Sequence, residues 1–330
     1  MENFVSVARQ VAVLFVLMGF GAAMRRTKLI GDAAVDGMVN VLILVVTPCL
    51  VIDVFQRPFD PSSLASLGIA FAIAVVGHLA AILLAVLFVR HRDDDTRRTL
   101  MLAAVFSNAG FMGVPLEQAI LGDAGVFFGI VYVVVFNLFI WSWGLVVMRE
   151  RGRYPPSEAS RRRRCPSRGG NGERGARLKM VVNPGTVGIA IGLPLFLCSM
   201  RLPSFLAVPV HHMANLNTPL AMLVIGYGLA GAKLGRVVRN PSVYVASFIR
   251  LVGYPLLMVA ALYPFRRHLD RDMTLAICIA ASAPVAAMVS MFAAKFRRDV
   301  DTGVAVVSGT TLLSMVTMPA VIALAMSLLN

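Results

Sequence analysis

Apolar residues fall into ten long runs separated by short polar gaps: 4–24, 33–55, 63–89, 99–120, 124–148, 181–200, 211–233, 242–264, 273–293 and 302–328. A helix needs about 20 apolar residues to cross the hydrocarbon core of a bilayer, and each run has that length. The fourth and ninth runs are the least continuous, and the seventh opens on a polar stretch. The pattern predicts an all-α polytopic membrane protein with ten transmembrane helices. One long polar gap, 149–180, divides the chain into five runs over 1–148 and five over 181–330.

Composition supports this reading. Of the 330 residues, 58% are apolar and only 15% charged, and mean hydropathy is +0.78. A soluble domain carries about 25% charged residues, so an ordinary cytosolic enzyme and a disordered chain are both excluded. The net charge of +14 would suggest nucleic acid in a soluble protein. Here the basic residues lie in the gaps, and no nucleic-acid partner is expected. The side reached after the odd-numbered runs, run ends included, holds 24 of the 31 Lys and Arg residues, the opposite side holds six with Arg9 among them, and Arg250 lies within a run. The positive-inside rule then places 149–180 in the cytoplasm and both termini outside it. With Pro155, Pro156, Arg161–Arg164 and Gly169-Gly170-Asn171-Gly172, that segment reads as a flexible linker suited to anionic headgroups. Cys49, Cys165, Cys198 and Cys278 show no metal-binding or disulfide spacing; no metal and no cofactor is expected.

The two halves look related. Asp123-Ala124-Gly125-Val126 opens the fifth run, and Asp301-Thr302-Gly303-Val304 opens the tenth, 178 residues later. The same offset lays Ser107–Pro115 over Val285–Ala293, beside Pro284. Thr47-Pro48 and Thr218-Pro219 recur at a similar offset. An odd number of helices per half requires the second half to be inverted, and inverted repeats with interrupted helices mark secondary transporters.

The chemistry concentrates at the interruptions. Ser107-Asn108-Ala109-Gly110-Phe111-Met112-Gly113-Val114-Pro115 holds two Gly and one Pro, which weaken a helix. Freed backbone groups at such a break, with the Asn108 carboxamide, suit an anion. The same residues also read as a proline kink packed by glycine, and both readings stay open. The counterpart, Ala281-Ser282-Ala283-Pro284-Val285-Ala286-Ala287, offers backbone and Ser282. His78 reads as a proton-coupling group or as a neutral, hydrogen-bonded core residue. Arg250 reads as snorkelling to the basic face or as attracting an anion. Asp53 is expected to face water, and Glu117 and Asp123 to lie at the interface, with Asp123 capping a helix. Paired Asp or Glu deep in the bundle, which would suggest cation coupling, is missing. Trp141, Trp143 and Tyr154 suggest an aromatic belt. No HExxH, GxSxG or P-loop occurs, so no enzyme is expected.

Five stretches together resemble the auxin efflux carrier family in its bacterial branch, which is related to the bile acid/sodium symporters: Phe106–Leu116, Val182–Leu193, Met213–Ala230, Ile249–Leu257 and Ser308–Pro319. The resemblance implies ten helices as two inverted five-helix repeats, with broken crossover helices 4 and 9. It implies an elevator mechanism in which helices 1, 2, 6 and 7 form a scaffold around a mobile domain of the others. It places the substrate, a small organic anion such as a mono- or dicarboxylate, at the crossover. Asn108, Pro115 and Pro284 match that position, and Ala286 and Ala287 depart from the polar residues often found there. The implied setting is the bacterial cytoplasmic membrane, with a homodimer as an expected assembly.

The expected site is therefore Ser107, Asn108, Gly110, Gly113, Pro115, Ser282, Ala283, Pro284 and Val285, with Pro48, Asn217 and Pro219 facing it from the scaffold. An inside-negative potential drives an anion outward by about 2.3 kcal/mol per charge per 100 mV, so export needs no ion coupling. A sodium- or proton-coupled symporter is the alternative, and a membrane-embedded enzyme or sensor the remote one.

Overall fold

The computed structural model describes residues 2–57, 61–149, 184–231 and 241–329. The linker beyond Arg149, with Tyr154 and Cys165, lies outside the described residues. The described chain forms α1 (Glu2–Arg26), α2 (Asp32–Val54), α3 (Pro61–Phe88), α4 (Asp94–Val105), α5 (Val114–Leu121), α6 (Asp123–Arg149), α7 (Pro184–Leu197), α8 (Ser204–Ala230), α9 (Pro241–Phe265), α10 (Arg271–Ser282), α11 (Met288–Lys295) and α12 (Val300–Leu328). Seven of these, α1, α2, α3, α6, α8, α9 and α12, are long and apolar enough to cross a membrane, and α7 holds a shorter apolar stretch. The protein is thus an all-helical polytopic membrane protein. The fourth and ninth runs are each two short helices, α4 with α5 and α10 with α11. The helix α8 begins seven residues before the expected start, because Ser204–Asn215 is helical despite Pro209, His211 and His212.

Prolines shape several of these helices. Widened turns at Leu42–Val46, Ala109–Gly113 and Ile249–Gly253 each end two residues before a proline: Pro48, Pro115 and Pro255. A proline has no N–H and its ring crowds the preceding turn, and a π turn relieves the crowding. In the first of them the Thr47 hydroxyl donates to the Leu42 carbonyl at 2.8 Å, which keeps a backbone acceptor satisfied away from water.

Glycines set the closest helix pairs. A Cβ on Gly21 would overlap the Leu223 carbonyl, and one on Gly226 would overlap the Met18 carbonyl, so α1 and α8 meet backbone to backbone. Gly188 and Gly192 of α7 lie in the same way against Pro48, Val51, Ile52 and Phe55 of α2. The remaining helices pack mainly on one another: α3 on α4 and α6, α9 on α10 and α12, α6 on α5 and α10, and α12 on α4 and α11.

Candidate functional site

The two broken helices meet where both are broken. α4 starts on Asp93, whose carboxylate accepts from the Thr96 N–H at 2.8 Å, and runs inward to Val105. α10 starts on Asp270, which accepts from the Met273 N–H at 2.8 Å, and runs inward to Ser282. Beyond these ends the chain is extended, and Ser107 pairs with Val285 in an isolated antiparallel bridge. The Asn108 N–H donates to the Pro284 carbonyl at 2.6 Å, and the Ala286 N–H donates to the Phe106 carbonyl at 2.9 Å. The chain then resumes as a π turn and α5 on one side and as α11 on the other. α5 packs beside α10, and α11 beside α4.

Asn108 sits at the start of the resuming helix. It is only 6% exposed, and its carboxamide makes no hydrogen bond among the described residues. Its carbonyl accepts from Met112 and Gly113 at 2.9 and 3.2 Å, but the N–H groups of Ala109, Gly110 and Phe111 have no partner there. Open space adjoins Gly110. Unpaired donors at a helix start, beside a free carboxamide, form an anion-binding arrangement. The Ser107 hydroxyl is buried and also unpartnered. Gly113 lies against the Ala280 backbone of α10, and Pro115 follows in the first turn of α5.

The second strand of the crossing is less available. The Ser282 hydroxyl donates to the Ile279 carbonyl at 2.8 Å, and the Val285 N–H donates to the Thr310 hydroxyl at 3.2 Å. Ala283 packs with Met112, Leu116, Ala221 and Met222 in the apolar cluster that joins the crossing to α1 and α8. The second half of α8, which begins at the buried Asn217 and carries Pro219, packs on the π turn after Asn108. Pro48 has its backbone against Gly188 of α7.

Arg250 does not snorkel. It is fully buried in the π turn of α9 and donates to the Val105 carbonyl at 2.9 Å and to the Ala281 carbonyl. These are terminal carbonyls of α4 and α10, where helix ends leave acceptors unpaired and carry partial negative charge. One guanidinium therefore joins both half-helices, and its face lies 4.7 Å from the Tyr254 ring. The Tyr254 and Tyr132 hydroxyls are 3.2 Å apart, and the His78 ring lies 4.9 Å from Tyr132 and stacks on Phe139. His78 is buried with Nδ1 2.8 Å from the Ala74 carbonyl, and its Nε2 has no partner among the described residues.

Asp53, expected to face water, forms an exposed bond with His211 at 2.9 Å. Asp123 is exposed and accepts from Gln118 at 3.0 Å, while the cap position before α6 is Gly122, at φ +66°. Glu117 is not interfacial: it is fully buried, and neither carboxylate oxygen has a hydrogen-bond partner. Trp141 packs on Phe292 of α11 and Trp143 on Phe106, and both stay half-buried. Tyr132, Tyr254 and Thr310 are further polar members of the crossing. Only their polarity inside apolar runs marks them in the sequence.

Residues 6–322 match the family described as membrane transport protein. The chain belongs to this family, that of the auxin efflux carriers. An uncharacterised transporter of Methanothermobacter thermautotrophicus is 25% identical over 320 residues, covering 96% of this chain and 97% of that protein. The match to the membrane transport protein family runs from α1 into α12 and so includes both broken helices and Arg250. Members of such a family move solutes across a bilayer, and the unpaired polar groups found here lie inside the helical bundle rather than on its rim.

Proposed function

We propose that this chain is a secondary transporter of small organic anions, mono- or dicarboxylates, working by elevator-type alternating access. The observation that carries the reading is the Asn108 carboxamide, unbonded beside three unpaired N–H groups where the two broken helices cross. A carboxylate accepts hydrogen bonds only, and this arrangement offers donors. Ser107, Asn108, Gly110, Gly113 and Pro115 form the principal side of the site. Ala283, Pro284 and Val285 shape the other side mainly through backbone, because Ser282 and the Val285 N–H are already bonded. Asn217, Pro219 and Pro48 belong to the scaffold facing it.

We read the chain as ten transmembrane helices in two inverted repeats, 1–148 and 181–330, joined by 149–180. The bridge supports this. Ser107 and Val285 are separated by the same 178 residues that separate the two D-x-G-V motifs, and the two flanking hydrogen bonds exchange under that offset. Helix contacts exchange in the same way: α1 with α8 mirrors α7 with α2, and α3 with α6 mirrors α9 with α12. On this reading α1, α2, α7 and α8 form the scaffold and the others the moving part. The basic gaps place both termini outside the cytoplasm.

The test is flux in proteoliposomes, using labelled mono- and dicarboxylates with voltage set by potassium and valinomycin. Saturable flux of at least one carboxylate, competed by its unlabelled form, is expected. Flux of organic cations or neutral solutes in place of every carboxylate would overturn the anion assignment.

A further inference from the structure

Glu117 is the one fully buried carboxylate among the described residues, and the substrate site does not use it. It lies on α5, four residues after Gly113 and two after Pro115, and its side chain is fully enclosed. One carboxylate oxygen is directed at Gly113, where a Cβ would stand 3.7 Å from it and 3.4 Å from the Ala280 backbone of α10. The other lies so close to Gly129 of α6 that a Cβ there would overlap it. Gly125 lies against the Glu117 carbonyl. Gly129 thus makes room for the carboxyl group where α5, α6 and the crossing helix α10 meet.

Among the described residues, no cation or hydrogen-bond donor is paired with that carboxyl. α5 packs against α1, α6, α10 and the π turn after Asn108. The titratable groups of these elements are Arg9, Arg25 and Arg26 on α1, Asp123, Tyr132 and Arg149 on α6, and Arg271, Asp272 and Cys278 on α10. None bonds to the Glu117 carboxyl, which has no hydrogen-bond partner. An ionised carboxylate would be desolvated there with no compensating contact, whereas a carboxylic acid fits such a pocket. The acid lies one helical turn from the π turn that supplies the anion-binding donors, so any movement of α5 that changes that turn also moves the acid.

We propose that Glu117 is a proton-binding site of the transport cycle, and that its proton crosses the membrane together with the substrate anion. This rests on the transport reading above. The proton is held while α5, α6 and α10 are closed around the carboxyl, and it leaves to water when the moving helices expose α5 on the other side of the membrane. The group only gains and loses a proton, and no other bond changes. His78 differs in its surroundings: it is enclosed by Phe106, Tyr132 and Phe139, its Nδ1 is bonded to its own helix, and only its Nε2 lacks a partner among the described residues.

The deciding quantity is accumulation rather than rate, because a structural defect slows transport without altering the coupling ratio. Proteoliposomes at zero voltage are given a gradient of one pH unit and [14C]malonate, or whichever carboxylate the panel above shows to be carried. Protein-free vesicles correct for diffusion of the free acid. One proton per anion sustains about tenfold accumulation, since one pH unit corresponds to 1.36 kcal/mol. The wild type and Glu117→Asp are expected to reach about that ratio, and Glu117→Gln to equilibrate near one. Infrared difference spectra of the wild type should also show a protonated-carboxyl band that Glu117→Gln lacks. Equal accumulation by wild type and Glu117→Gln, or absence of that band from the wild type, overturns the proposal while leaving the transporter reading intact. Wild-type flux for no member of the panel removes the transport reading, and this proposal with it.

Discussion

Asn108 carries a carboxamide with no partner among the described residues, whereas the Arg250 guanidinium is engaged by Val105 and Ala281. Removing the two side chains should therefore have opposite effects. Hydrogen bonds to a charged group contribute about 1.5–3 kcal/mol each. Asn108→Ala should lower carboxylate affinity by roughly one to two orders of magnitude and leave the thermal unfolding midpoint in detergent near that of the wild type. Unchanged transport would remove Asn108 from the site. Arg250→Met strips both half-helix ends of their donor, and each buried carbonyl left unpaired costs about 1–3 kcal/mol. A large fall in the unfolding midpoint is expected, with only partial recovery in Arg250→Lys, because an ammonium cannot reproduce the planar fork. A midpoint equal to the wild type would show that the crossing does not depend on it. The sequence exposed Asn108 through its neighbours, two glycines and a proline inside an apolar run. It gave no sign of the partners of Arg250, which are backbone carbonyls 145 and 31 residues away. The depth of Glu117 was hidden for a related reason: it lies near the end of an apolar run, and the end of a half-helix can still be enclosed by its neighbours.

Whole helices are held by two different devices. Between α1 and α8 the device is glycine, since Gly21 and Gly226 each receive the backbone of the other helix. Gly226→Val should force the pair apart, at the cost of about 1–3 kcal/mol typical of overpacking, and unfolding in detergent would register it. Gly228, beside open space, serves as the control and should tolerate Ala. At the basic ends of α4, α6 and α12 the device is a polar network. Arg98 donates to the Val147 carbonyl at 2.5 Å, Arg298 pairs with Asp95 and donates to the Met148 carbonyl at 2.8 Å, and Thr96 donates to Asp299 at 2.7 Å. Burial alone would raise the Asp299 carboxyl, but hydrogen bonds from Thr302 and Thr96 outweigh it and hold the group below its ordinary value. Asp94, paired with Arg97 and Arg98, is likewise held low against its burial. A lowered carboxylate adds stability at pH values above its unfolded value, about 3.9, and loses it as pH falls through the lower folded value. The network should therefore hold from neutral pH to about pH 4 and weaken below. Thermal unfolding followed from pH 7 to pH 3 checks this, and Asp299→Asn should flatten the acid limb. The aspartates capping α4, α10 and α12 follow an ordinary helix-start pattern, but the ties across 203 residues come only from the fold.

At the scale of the molecule, membrane solvation makes long apolar runs legible, and seven described helices are long and apolar enough to cross a bilayer. The two broken helices were also legible, because glycine and proline interrupt their runs. Their crossing was not, since pairing of Ser107 with Val285 depends on how the halves fold together. Only the shared 178-residue offset hinted at it. The inverted-repeat reading makes a further demand, because contacts inside each group of helices exchange between the halves while those between the groups do not. α1 runs alongside α12, whereas the equivalent pair, α7 and α6, meets chiefly through Phe196 and Phe127, with ring centres 5.6 Å apart. An elevator built from inverted repeats converts one such asymmetry into its mirror image, so a second arrangement should bring α7 along α6 and free α12 from α1. Spin labels at the exposed Val16 and Val316, and separately at Ile191 and Leu138, can follow both pairs in lipid. Two distances are expected for each pair, with the longer α1–α12 separation populated together with the shorter α6–α7 one. A transported carboxylate should shift the two populations in concert. A single distance for both pairs, unmoved by substrate, would leave the fold as described and rule out the sliding of one group of helices past the other.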